Sequence, residues 1–257
     1  MAQLEGELQI AGPDAPSAPD GDRNDILQVQ RLQAGYGRKQ VVFDVDLHVR
    51  PGEIVGVLGH NGSGKSTTIR TILGINRVFG GRVTFDGKDV TGHNSRENVK
   101  AGMAMIPSER FVFQDLTVLD NLLLGAANHP KSDRRVQRLE LVQQLFPILV
   151  ERSAQLVGMM SGGQQRMVSL GMALMADPKL LMLDEPSLGL APAVVQQIFD
   201  TVRRLADEEG LAVLLLEQNV GQALRIVDRV SVMRSGRVIL EESVEQMRAR
   251  DSYWDLF

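Results

Sequence analysis

The stretch Gly59-His60-Asn61-Gly62-Ser63-Gly64-Lys65-Ser66-Thr67 decides how this chain is read. It fits the pattern of a glycine, four residues and then Gly-Lys-Ser/Thr. Before it, EIVGVLG (Glu53 to Gly59) is a short β-branched and apolar run, the mark of a buried strand. After it, KSTTIRTILGI (Lys65 to Ile75) carries Ile69, Ile72 and Leu73 at helical spacing. Strand, glycine-rich turn and helix N-terminus together make an anion site. Glycines let several backbone N–H groups converge, and the helix dipole adds its positive end. Lys65 is expected to reach β- and γ-phosphates as a mobile charge, and the Ser66 hydroxyl to ligate Mg²⁺. A turn that merely packs two elements closely is the bland alternative, and the flanking strand and helix count against it.

Outward from this loop the chain alternates between strand and helix. ILQVQRLQAGYG (Ile26 to Gly37) sets Leu27, Val29 and Leu32 against Ile26, Gln28 and Arg31 as a strand would, and VVFDVDLHV (Val41 to Val49) is a second strand. Pro51-Gly52 turns the chain into the loop strand, and Asp86-Gly87 signals a hairpin within GGRVTFDGKDV (Gly80 to Val90). From Ser95, read as a helix cap, the character becomes helical. The pattern over Ser132 to Ser153 places Val136, Leu139, Val142, Leu145, Phe146 and Leu149 on one face, with Pro147 kinking or dividing it. KLLMLDEP (Lys179 to Pro186) and LAVLLLEQN (Leu211 to Asn219) read as buried parallel strands, separated by an amphipathic helix that Gly210 stops. VGQALRIVD (Val220 to Asp228) reads as a helix, followed by a hairpin over Arg229 to Leu240. The expected fold is therefore α/β, a P-loop nucleotide-binding type with a mainly parallel core sheet. Residues 1–24 are rich in Pro, Ala, Gly and Asp and read as a disordered extension before one domain over 25–257. Within that domain the nucleotide-binding core is expected over about 25–97 and 178–257, and an inserted helical subdomain over about 98–177.

Composition removes several alternatives. The 257 residues are 43% hydrophobic and 23% charged, ordinary for a globular chain with a sizeable core. A formal net charge of −4 argues against a dedicated nucleic-acid binder. The absence of cysteine excludes disulfides, thiolate metal sites and cysteine nucleophiles, and the four histidines, His48, His60, His93 and His129, lie too far apart for metal-ligand spacing. No apolar run reaches bilayer length and the first residues do not resemble a signal peptide, so a soluble cytoplasmic chain is expected.

Two further clusters carry chemistry. Asp184 and Glu185 close the apolar run Leu180 to Leu183, where adjacent acids are costly unless a metal, water or hydrogen bonds receive their charge. In phosphoryl transfer the first acid orders Mg²⁺ with the loop serine, and the second is placed to orient or deprotonate the attacking water. Ser161-Gly162-Gly163-Gln164 opens a helix with a favoured N-cap and exposed backbone N–H groups, a second anion site in the same chain, although simple capping would explain SGG alone.

Taken together, the glycine loop, SGGQQ and LLMLDEP in this order resemble the ATPase subunit of an ABC transporter, over roughly residues 25–257. The resemblance implies the ABC ATPase type of P-loop fold, with an antiparallel β subdomain, and a head-to-tail dimer of homologous ATPase subunits. In that dimer the Ser161 helix of one subunit covers the γ-phosphate of ATP held by the other. It implies ATP and Mg²⁺ as ligands, Tyr36 as the aromatic that stacks on adenine, and IPSERFVFQDLTVLDNL (Ile106 to Leu122) as the loop that senses the γ-phosphate and touches the membrane subunits. Three positions depart from the family. Ser108 stands where a Gln or Glu is usual, Gln218 where a catalytic-site histidine is usual, and Ala191 where an Asp is usual. EPSLGLAP, the EQN ending, FQDLTVLDNLLLGA and the terminal YWDLF are similar to the shorter ATPase of branched-chain amino-acid uptake systems. That branch implies two integral-membrane permeases, a solute-binding protein acting indirectly, no nucleic acid, and a peripheral place on the cytoplasmic face of the membrane. Urea and amide importers share the pattern, and a nucleotide-responsive regulatory subunit with weak hydrolysis is the alternative that the three departures favour.

Overall fold

The structure is a computed structural model describing residues 24–109, 112–127, 132–253 and 256. The proposed extension over 1–24 therefore lies, Asn24 excepted, outside the described residues. In chain order the elements are β1 (Leu27–Tyr36), β2 (Lys39–Val49), β3 (Ile54–Leu58), α1 (Lys65–Ile72), β4 (Arg77–Phe85), β5 (Lys88–Asp89), α2 (Ser95–Ala101) and β6 (Met103–Ile106). Helices α3 (Val118–Gly125), α4 (Asp133–Leu145), α5 (Pro147–Glu151) and α6 (Gly162–Met175) follow. The chain continues with β7 (Leu180–Asp184), α7 (Pro192–Glu209), β8 (Ala212–Glu217), α8 (Val220–Ala223), β9 (Arg229–Arg234), β10 (Arg237–Ser243) and α9 (Val244–Arg248).

Two sheets result. One is antiparallel in the order β2-β1-β4-β5, and the other has the order β10-β9-β3-β8-β7-β6, parallel except for β10. The alternation of side chains along a strand explains how the large sheet is covered. On β7, Leu181 and Leu183 join one hydrophobic cluster while Leu180 and Met182 join the other. On β8, Val213 and Leu215 face the first, and Ala212, Leu214 and Leu216 the second. The first cluster is closed by α6, α7 and the short helices. The second is closed by Ile69 and Ile72 of α1 and by the inner face of the antiparallel sheet. Burial on both faces is why β3, β7 and β8 read as unbroken apolar runs.

Several local expectations change. The cap of α2 is Asn94, not Ser95: its side chain accepts from the Glu97 N–H while Glu97 reaches back to the Asn94 N–H. Val136, expected on the apolar face of α4, is 56% exposed, because that helix meets the core only from Leu139 onward, while Pro147 divides the pattern by ending α4 and opening α5. The helix expected over Val220 to Asp228 is only the single turn of α8, after which Leu224, Ile226 and Val227 are buried in irregular backbone. Strand β6 lies within the span 98–177 yet hydrogen-bonds β7 in the large sheet, so we propose that the helical subdomain begins after Ile106.

Candidate nucleotide site

Strands β3, β8 and β7 are parallel neighbours, so their carboxyl ends, Leu58, Glu217 and Asp184, open on the same edge of the sheet. The glycine loop leaves β3 there. Gly62 and Gly64 have φ of 84° and 106°, conformations that side chains rarely adopt. A Cβ on Gly59 would lie 2.3 Å from the Met233 carbonyl oxygen, so the loop needs glycine for close approach as well. The turn between β9 and β10 braces it, with the Gly236 N–H donating to the Ser63 carbonyl at 2.8 Å.

Lys65 is 4% exposed, and its Nζ donates to the carbonyls of Gly59 at 2.7 Å and His60 at 3.3 Å. The same Nζ lies 3.3 Å from Glu185 Oε1. Glu185 has φ of 49°, and this left-handed kink at the end of β7 is backbone strain of roughly 1–2 kcal/mol for a non-glycine residue. Beside it, the Ser66 hydroxyl donates to Asp184 Oδ1 at 2.9 Å, while Asp184 Oδ2 is buried without a hydrogen-bond partner. Burial pushes the Asp184 carboxyl above the usual range, against the lowering effects of the Ser66 bond and of the Arg70 and Lys65 charges. A cation would relieve that cost, and a hydroxyl beside a carboxylate is the hard oxygen set that Mg²⁺ takes. The residues present therefore fit the metal. Among the described residues there is no cluster of three or more His, Asp or Glu that could hold a metal without a substrate's help.

A cavity of about 260 Å³ is lined by Tyr36, Asn61, Gly62, Gly64, Lys65, Ser66, Thr67 and Glu185, with Val41. Gly59, His60 and Ser63 belong to its loop without lining it, and Asp184 sits behind Ser66. Tyr36, 47% exposed at the end of β1, accepts a hydrogen bond from Thr67 Oγ1 at 3.3 Å, and its phenol falls below the usual range. Burial raises that value, but bonds to Thr67 and Asn76 and the charge of Arg70 outweigh it.

The other expected residues are elsewhere. Ser161 caps α6 in a reciprocal box with Gln164, and Ser161 and Gly162 are exposed. Gly163 is set by packing, since a Cβ there would meet Val194 of α7 at 2.8 Å. Gln218 is exposed and lines a second cavity of about 330 Å³ with Ser187, Glu217, Gln222 and Glu185, the one residue shared with the first. Two buried charges were missed from sequence. Arg166, 3% exposed, donates to the carbonyls of Pro107 at 2.8 Å and Ser108 at 3.1 Å, and burial lowers its value to about 10 against the raising effects of Asp184 and Glu217. Glu217, 2% exposed, ends β8 as Asp184 ends β7, an acid closing an apolar run that carried the same signal.

A glycine cradle on a strand-to-helix turn, a buried lysine and two acids at the carboxyl end of a parallel strand of the same sheet define a P-loop nucleotide-binding protein. The model of the family described as ABC transporter matches residues 42–188, more than half of the chain. The chain belongs to that family and is an ATPase of the ABC type. It is 41% identical to the high-affinity branched-chain amino acid transport ATP-binding protein BraG of Pseudomonas aeruginosa, over 89% of this chain and 99% of that one. It is also 33% identical to the lipopolysaccharide export system ATP-binding protein LptB of Acidithiobacillus ferridurans, over 87% and 92% of the two chains. Among solved structures, the ADP conformation of an ATP-binding cassette of an ABC transporter aligns with a TM-score of 0.81 at 28% identity, covering 90% of this chain and 98% of that one.

Proposed function

We propose that this chain is the ATP-hydrolysing subunit of an importer for branched-chain or other hydrophobic amino acids. It works peripherally at the cytoplasmic face of a membrane, paired with a homologous ATPase subunit against two integral-membrane permeases, with a solute-binding protein upstream. The observation that carries the ATPase reading is the pairing of Ser66 with Asp184 and of Lys65 with Glu185 at one cavity. Lys65 stabilises developing phosphate charge, Glu185 orients or deprotonates the attacking water, and Tyr36 offers its ring to the adenine at the cavity mouth. Ser66 and Asp184 would hold Mg²⁺, which when bound neutralises charge on the phosphates. Ser161, Gly162, Gly163 and Gln164 act on the nucleotide held by the other subunit. The cargo class rests on the relatives' names and on the EPSLGLAP and EQN stretches. No helix among the described residues is long and apolar enough to cross a membrane, which suits a peripheral subunit.

The test is phosphate release from ATP by the purified chain, which should require added Mg²⁺ and stop on chelation. Retention of permeases and a second ATPase on co-purification tests the importer reading. A regulatory subunit with slow hydrolysis is the second reading. It is favoured by Gln218, whose amide cannot take up a proton and whose place is in the neighbouring cavity. Brisk turnover by the isolated chain would exclude it.

A further inference from the structure

Three loops leave the sheet edge beside the nucleotide site, after β6, β7 and β8; buried charge binds the second to the third and ties the first to α6. Glu217 Oε1 accepts the Ser187 N–H at 3.1 Å, and Oε2 accepts the Gln218 N–H at 3.3 Å. Ser187 lies two residues beyond Glu185, in the turn closed by the Leu188 N–H on the Glu185 carbonyl at 3.2 Å. The left-handed Glu185 is thus held from both sides, by its own N–H on the Leu216 carbonyl at 3.0 Å and by the anchored Ser187. A carboxylate at 2% exposure is expensive, and here its two oxygens are used on two different loops. Arg166 completes the arrangement by holding the first loop through Pro107 and Ser108.

We propose that Glu217 is a positioning residue: it locks the loop after Glu185 to the loop that begins at Gln218, so that the Glu185 carboxylate is held beside Lys65. This rests on the ATPase reading above. Glu217 acts through Glu185 and touches no reacting atom. Its loss should therefore lower kcat and leave ATP affinity alone, since the glycine loop and the Lys65 bonds to the Gly59 and His60 carbonyls do not depend on it.

The experiment measures kcat and KM for Mg-ATP in the full chain, with thermal midpoints, for Glu217→Gln and Glu217→Ala, each alone and combined with Glu185→Gln. Glu217→Gln keeps one acceptor oxygen and should lose about 10-fold in kcat, Glu217→Ala about 10²-fold, with KM within about threefold of wild type. In the Glu185→Gln background neither change should lower the residual rate further, because the group being positioned is gone. Wild-type kcat in both variants overturns the proposal. So does an equal fractional loss with and without the Glu185 carboxylate, which marks a purely structural role. If Glu217→Ala does not fold, the near-isosteric Glu217→Gln gives the same two readouts. A wild-type chain that hydrolyses no ATP sinks the ATPase reading together with the proposal, whereas full wild-type turnover with indifferent Glu217 variants sinks the proposal alone.

Discussion

The glycine cradle and the start of α6 are both helix N-termini rich in glycine, yet they are opposite in condition. In the cradle, Lys65 and Asp184 are buried, Asp184 Oδ2 has no hydrogen-bond partner, and a cavity opens onto the loop. At α6, Ser161 and Gln164 satisfy one another, and Ser161 and Gly162 face outward. The first region is strained toward a ligand; the second is self-sufficient and faces outward. A chain that carries one receptive half-site and one presenting half-site suits pairing with a second such chain, and each region should respond differently to substitution.

The largest expected effect is at Glu185. Glu185→Gln should lower turnover by roughly 10²–10⁴-fold while ATP binding persists, checked by phosphate release alongside equilibrium binding of a fluorescent ATP analogue. Lys65→Ala should instead weaken binding itself, by roughly 10-fold or more, because it removes a buried cation from the cradle. Ser161→Arg sharpens the contrast. Turnover should drop about 10²-fold with single-chain nucleotide affinity unchanged, since Ser161 does not line the cavity. A loss of affinity in that variant would place Ser161 in its own chain's site.

Two smaller effects concern stability. Burial raises the Asp184 carboxyl, so its contribution is fully present below the ordinary carboxylate value and is lost as pH rises through the higher native value. Asp184→Asn, whose amide oxygen can still accept from Ser66, removes that loss. Its melting midpoint without nucleotide should exceed wild type by roughly 2–4 °C on the alkaline side of the window and match it on the acid side. Hydrolysis should vanish in the same variant. Ser161→Ala should lower the midpoint only through the lost cap, a cost of about 1 kcal/mol.

The sequence made the cradle, the acids and the capping serine legible because each is contiguous: glycine spacing, an acid ending an apolar run, and an SGG start are local patterns. The parallel sheet was legible for the same reason. What stayed hidden depends on contacts distant in sequence. Arg166 stands within SGGQQR, but nothing local says that its guanidinium turns inward to carbonyls fifty-eight and fifty-nine residues away. Glu217 carries the signal of an acid closing an apolar run, but nothing local says that its two oxygens serve the loops on either side of it. Val136 fits the apolar period of α4 and is exposed nonetheless, because periodicity counts positions and cannot see that the helix meets the core only from Leu139 onward.

Whether the two half-sites meet across a subunit boundary can be measured directly, because the chain has no cysteine of its own. Asn61→Cys in the cradle and Ser161→Cys at α6, placed together in the Glu185→Gln background, give one thiol on each exposed half-site. With Mg-ATP bound, a short bifunctional thiol reagent should yield a cross-linked dimer, the cradle thiol of one chain joined to the α6 thiol of the other, and the product should be absent without nucleotide. Saturated ATP binding with no cross-link between chains, or a link formed only within one chain, would contradict the composite site.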